Sequence, residues 1–217
     1  MTTTISTLGE SAAIKRYFIL DRSGSMESMI DDTIGGFNAF VSSQKQLGGT
    51  MSLYLFDNEF DTIYEDLPIS DVQLLTKATF IPRGGTALLD AIGKVIKNIN
   101  NIAANTIYID IFQEAAHIQI IIMTDGFENS SKIYTSQHIK DLIQIHSQKG
   151  WDFMYLGANQ DSILEASKLG INPHQTLDFN SNNLGDIMET VSITMKQRSK
   201  GTPTTLRQCS AMREFNK

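Results

Sequence analysis

Tyr17-Phe18-Ile19-Leu20-Asp21-Arg22-Ser23-Gly24-Ser25, residues 17–25, is the stretch that decides the fold. Four consecutive large apolar residues read as a strand buried on both faces, the pattern of a central strand in a parallel sheet. The run stops at a charged residue and then at small polar ones, which marks a strand end. Downstream, Ile30, Ile34, Phe37 and Val41 recur at helical spacing and predict a first helix of about five turns, closed by Gly48-Gly49. A second strand follows over 51–56. Asp57-Asn58-Glu59 then makes a tight turn into a hairpin partner over 60–65, at the sheet edge.

The same alternation continues. A turn-rich stretch holds a short helix near 71–76, and Arg83-Gly84-Gly85-Thr86 opens a helix with Leu88, Ile92, Val95, Ile96 and Ile99 on one face. The most strand-like segment, 118–123, ends in Thr124-Asp125-Gly126. A helix over 136–149 stops at Gly150, a good C-terminal breaker. A strand at 153–156, a helix at 161–169, a strand at 176–179 and a helix marked by Leu184, Ile187, Met188, Val191 and Met195 complete the series. Strands alternating with helices give a doubly wound α/β sandwich. Tyr108-Ile109-Asp110-Ile111-Phe112 is strand-like, but no periodicity decides between a strand and a packed connector.

Composition sets the outer limits. In 217 residues, 41% are hydrophobic and 19% charged, which suits one globular body over 13–198. Residues 1–12 read as a flexible leader and 199–217 as a flexible tail, with four basic residues against one acid. A net charge of −6 argues against a nucleic-acid-binding surface. No apolar run is long enough for membrane insertion, and no secretory signal is visible. The single cysteine, Cys209, excludes an intramolecular disulfide framework and fits a reducing, cytoplasmic setting.

The chemistry lies in three oxygen-bearing segments. Asp21, Ser23 and Ser25 stand at i, i+2 and i+4, and in extended backbone would project to one side. Thr86 sits behind two glycines at a helix start, and Asp125 ends a strand. In an open parallel sheet, ligands bind beyond the carboxyl ends of strands where strand order reverses. Right-handed crossovers put the first strand beside the strand that ends at Asp125. Two carboxylates and three hydroxyls describe a site for a hard divalent cation: Mg²⁺ first, Mn²⁺ next, with Ca²⁺ as a further candidate. Five protein ligands or fewer leave a position for water or an incoming acid.

DRSGSM, RGGTALLDAIG and IIMTDGFENSS together resemble the three parts of the metal-ion-dependent adhesion site of von Willebrand factor A domains, in the right order over residues ~14–198. The DGFENSS wording and Leu156-Gly157-Ala158-Asn159-Gln160-Asp161 look most like prokaryotic or phage-type members. The resemblance implies a six-stranded, mostly parallel sheet with one antiparallel edge strand. It also implies Mg²⁺ at Asp21, Ser23, Ser25, Thr86 and Asp125, and a partner protein's Glu or Asp completing the shell. By analogy of fold and motif, the partner would be a subunit of an assembly such as an AAA+ ATPase.

Neighbouring residues have plainer readings. Asp57 reads as a turn former, and Arg22 and Arg83, which flank the site, either as solvated surface residues or as groups that meet an anionic ligand. Asp90, one helical turn after Thr86, is either an acceptor reaching toward the serine loop or an exposed helix acid. His117, His138, His146 and His174 show no zinc-ligand spacing. The leading function is a metal-dependent protein-binding module without catalysis. A metal-dependent phosphoryl hydrolase is the alternative, although Ser23 stands where such enzymes want a second carboxylate. A structural scaffold with a vestigial site is the third reading.

Overall fold

A computed structural model describes residues 13–106, 116–158 and 161–215. Six strands form one sheet: β1 (Ile14–Asp21), β2 (Thr50–Phe56), β3 (Phe60–Pro68), β4 (His117–Thr124), β5 (Asp152–Ala158) and β6 (Thr176–Phe179). Their order is β3-β2-β1-β4-β5-β6, with β3 antiparallel at one edge and the other pairings parallel. The helices are α1 (Ile30–Gln44), α2 (Leu88–Thr106), α3 (Ser136–Gln148), α4 (Ser162–Lys168), α5 (Leu184–Ser199) and α6 (Leu206–Phe215). The doubly wound arrangement and the antiparallel edge strand are those expected.

Strand residues alternate between two cores because successive side chains leave opposite faces. Phe18, Leu20, Leu53, Leu55, Ile121 and Met123 meet Phe37, Phe40, Val41, Met188 and Val191 of α1 and α5. On the other face Tyr17, Ile19, Tyr54, Ile120 and Ile122 meet Ile92, Val95, Ile96, Ile139 and Ile143 of α2 and α3. Burial on both sides explains the near-continuous apolar runs in β1 and β4. Strand order, not chain direction, reverses between these two parallel strands, so their carboxyl ends open a crevice there.

Three expectations are corrected. The first helix is shorter than five turns: α1 has 15 residues, preceded by a 3-10 segment over Gly24–Met29. The helix expected near 71–76 is a 3-10 turn at Ile69–Asp71 followed by irregular chain. Asn38 stabilises that chain instead, donating to the Leu75 carbonyl and accepting from its N–H. Val72 and Leu75 are buried three apart, which mimics helical spacing. Finally, within the segment read as a flexible tail, Leu206–Phe215 is helix α6, with Leu206 and Cys209 buried. Arg213 donates to the Asp186 carboxylate (2.8 Å) and Glu189 (2.5 Å), and Arg207 to the Pro173 carbonyl. Two buried residues and an ion-pair cluster make too short an apolar stripe to show in the sequence. The strand-like segment 108–112 lies outside the described residues.

Removing α6 should therefore destabilise the body. We expect Leu206→Ala to cost about 2–4 kcal/mol in urea unfolding, the range for emptying a buried leucine site. Truncation after Lys200 should cost at least as much. An unchanged unfolding midpoint in both would show that α6 adds nothing to the fold.

Candidate metal centre

Asp21 is the last residue of β1 and fully buried. Its Oδ1 accepts the Ser23 N–H at 2.6 Å and its Oδ2 accepts the Thr124 hydroxyl at 2.5 Å. Parallel pairing of β1 with β4 sets the second bond, since Leu20 is in register with Met123. Ser23 Oγ lies 3.0 Å from Ser25 Oγ, and Ser25 Oγ donates to Asp125 Oδ1 at 2.6 Å. Extended backbone does not bring the serines together, as the i, i+2, i+4 reading supposed. The chain bends at Ser23 and enters the 3-10 segment, whose Met26 and Met29 are buried anchors.

Thr86 comes from a separate loop. A Cβ built on Gly126 would stand 2.9 Å from Thr86 Oγ1 and 3.5 Å from Ser25 Oγ, so both hydroxyls face one point above Gly126. Thus Asp21, Ser23, Ser25, Thr86 and Asp125 converge at the crevice between β1 and β4, with Ser25 at the exposed rim.

Two clamps hold the loops. The first joins the α2 start to the loop after β4. Asn129 Oδ1 accepts the Thr86 N–H, while the Thr86 carbonyl accepts from the Asn129 and Ser130 N–H groups. Glu128 accepts from Leu89 N–H at the α2 N-terminus, from Ser130 and Ser131 N–H and from the Ser131 hydroxyl. Asp90 in turn accepts from Lys132, Ile133 and Tyr134 N–H. Neither reading of Asp90 holds: it is buried and ties down this loop. Glu128, Asn129 and Thr124 were missed by the sequence reading. Their signal is an acid, an amide and hydroxyls packed into TDGFENSS.

The second clamp is the β2–β3 turn. Asp57 is fully buried and accepts from Arg22 Nε and Arg83 Nε, each at 2.8 Å. Burial alone would push its carboxyl upward; bonds from Arg83, the Glu59 amide and Arg22 outweigh that and hold it low. Asp57 is therefore more than a turn former, and Arg22 is buried rather than solvated. Gly84 has φ +65°, and a side chain there would strike Asn58 Oδ1. The approach of this turn thus requires glycine.

Asp21 and Asp125 have the opposite electrostatics. Burial raises Asp21 to about 6, against the bonds from Thr124 and Ser23, and Asp125 repels it further. Burial also raises Asp125 despite its bond from Ser25. The adjacent arginines are engaged by Asp57, so the two carboxylates face each other across hydroxyls. Among the described residues, no group of three or more His, Cys, Asp or Glu side chains is placed for a metal. This site belongs to a different donor class: two carboxylates and three neutral hydroxyls, all hard oxygens. That set fits a small hard cation. His146 is a core residue bonded to Leu142 O and Asn100, and His117 pairs with Asp152.

No protein-family model and no curated protein matches the sequence. Solved structures do share the fold. The von Willebrand factor domain of a type V pili tip protein from Porphyromonas gingivalis superposes with TM-score 0.62 at 12% identity, over 86% of this chain and 96% of that one. Manganese-loaded Plasmodium vivax TRAP protein gives TM-score 0.55 at 16% identity, over 81% of this chain and 72% of that chain. Proximal thread matrix protein 1 of the mussel byssus, solved with a zinc-occupied metal-ion-dependent adhesion site, gives 0.59 at 17%, over 84% of this chain. This chain spans 48% of the length of that mussel protein. The fold is that of von Willebrand factor A domains.

The raised carboxyls set a pH dependence. The unfolded chain releases the Asp21 proton near 3.8, whereas the folded protein holds it to about 6. Between these values the folded state carries the extra proton, so metal-free stability should fall as pH rises. Asp125 acts in the same direction. Saturating Mg²⁺ should flatten or reverse the trend by competing with protons for both groups. Urea melts from pH 4 to pH 7, in EDTA and in Mg²⁺, test this; rising metal-free stability across that window would contradict it.

Proposed function

We propose that this chain is a divalent-metal-dependent protein-binding module. Asp21, Ser23, Ser25, Thr86 and Asp125 hold Mg²⁺, with Mn²⁺ or Ca²⁺ able to replace it, and a Glu or Asp of a partner protein completes the coordination. One observation carries the reading: two buried, mutually repelling carboxylates converge with three hydroxyls from separate loops at the strand-order reversal. Neutral hydroxyls leave the ion electrophilic, so it favours an anionic ligand from outside. Phe127 and Ile81, each more than half exposed on the loops leading from Asp125 and toward Thr86, offer apolar contacts beside it. The metals named in the manganese-loaded and zinc-occupied neighbours support a divalent ion here.

Binding is favoured over phosphoryl transfer by the setting of Asp21. A nucleophilic carboxylate must reach a substrate, and this one is fully buried with both oxygens engaged by Ser23 and Thr124. Ser23 occupies the position where a second acid would be needed. The described residues hold no helix long and apolar enough to cross a membrane. A cytoplasmic setting, expected from the single cysteine, belongs to the same proposal.

Calorimetric titration of Mg²⁺ tests the site. Thr86→Ala should keep the metal-free melting temperature, since one hydroxyl is lost, yet bind Mg²⁺ more weakly. Unchanged affinity would remove Thr86 from the ligand set. At about 100 times its dissociation constant, Mg²⁺ should stabilise the parent by roughly 2.7 kcal/mol. For the partner, affinity capture should yield proteins that EDTA releases and that a Ser23→Ala/Ser25→Ala variant does not retain. Capture indifferent to both would overturn metal-mediated recognition.

A further inference from the structure

The β2–β3 turn contributes none of the five oxygens, yet two of the three ligand-bearing loops are mounted on it. Arg22 stands between Asp21 and Ser23 in the chain, and Arg83 three residues before Thr86. Both arginines bring Nε to the same oxygen, Oδ2 of Asp57, at 2.8 Å. The other oxygen, Oδ1, accepts the Glu59 N–H at 2.6 Å. The Asp57 carbonyl accepts from Ala87 N–H, one residue beyond Thr86. Outer contacts align the guanidiniums: Arg22 Nη2 to Asp61 at 2.6 Å and Arg83 Nη2 to Glu59 at 2.5 Å. Two backbone rungs run beside this clasp, Arg83 N–H to Arg22 O and Gly24 N–H to Gly84 O.

We propose that Asp57 is a positioning residue that fixes the separation of the serine hydroxyls from the Thr86 hydroxyl, and through it the preference of the site for small over large divalent ions. This rests on the metal-binding reading above. One buried anion shared by two guanidiniums draws the serine loop and the Thr86 loop to one point. Without its charge, two cations face each other with less compensation and the loops spread. Ion size turns that spread into selectivity. Mg²⁺ demands near-ideal octahedral geometry with oxygens at about 2.0–2.1 Å, whereas Ca²⁺ accepts irregular shells at about 2.3–2.6 Å. A widened site therefore loses Mg²⁺ before it loses Ca²⁺.

The experiment compares Mg²⁺ and Ca²⁺ titrations, each metal alone, into the full chain and two variants. Asp57→Asn keeps size and one acceptor oxygen but not the charge. Arg83→Lys keeps a charge but cannot bridge Asp57 and Glu59, and its half-exposed side chain can change without disturbing the core. Both should lose about 10- to 100-fold in Mg²⁺ affinity, the scale for residues that orient ligands. Ca²⁺ affinity should fall by much less, so the Mg²⁺/Ca²⁺ ratio drops. A uniform loss for both metals, or no loss, overturns the inference while leaving the metal site intact. A parent chain that binds neither ion overturns the metal reading and this inference with it. If Asp57→Asn does not fold, the ratio in Arg83→Lys decides alone.

Discussion

Parallel pairing of β1 with β4 is the constraint from which the rest of this molecule follows. It places Asp21 against Thr124 across 103 residues of sequence, at 2.5 Å, and brings Asp125 within repulsive reach. Such a juxtaposition costs free energy, because burial opposes ionisation of both groups and each opposes the other. The sheet tolerates it since its two cores are extensive and the bonds from Ser23, Thr124 and Ser25 offset part of the cost.

Around that pair, the loops are ordered by side chains acting on backbone. Glu128, Asn129 and Asp90 accept nine hydrogen bonds between them from neighbouring N–H and O–H groups of the α2 start and the loop after β4. Asp57 does the corresponding work with charge. Each clamp is reciprocal, so neither loop can move without breaking bonds to the other, and the Thr86 hydroxyl inherits that rigidity. Precision of this kind is what a small cation needs from a protein.

Acidic residues therefore play two roles that differ only by surroundings. Asp57 and Asp90 are surrounded by donors and are held low. Asp21 and Asp125, with fewer donors and each other for company, are raised. The first pair is held by donors on every side; the second is raised by burial and by mutual repulsion.

Sequence alone determined the alternation of strands and helices and the buried character of β1 and β4, and it singled out five oxygen-bearing residues that the fold brings to one crevice. Those are local facts: a two-sided apolar run, a helical period and hydroxyls beside strand ends are written in consecutive residues. What Asp57, Arg22, Asp90 and Glu128 do was decided by tertiary structure, because an acid in a turn or a first helical turn has the same local signature whether it is solvated or clasped. Helix α6 was likewise hidden, since Leu206 and Cys209 gain their burial from α5 and β6 rather than from a stripe of their own. Polar clamps and short docked helices depend on partners far away in the chain, and only the folded arrangement supplies those partners.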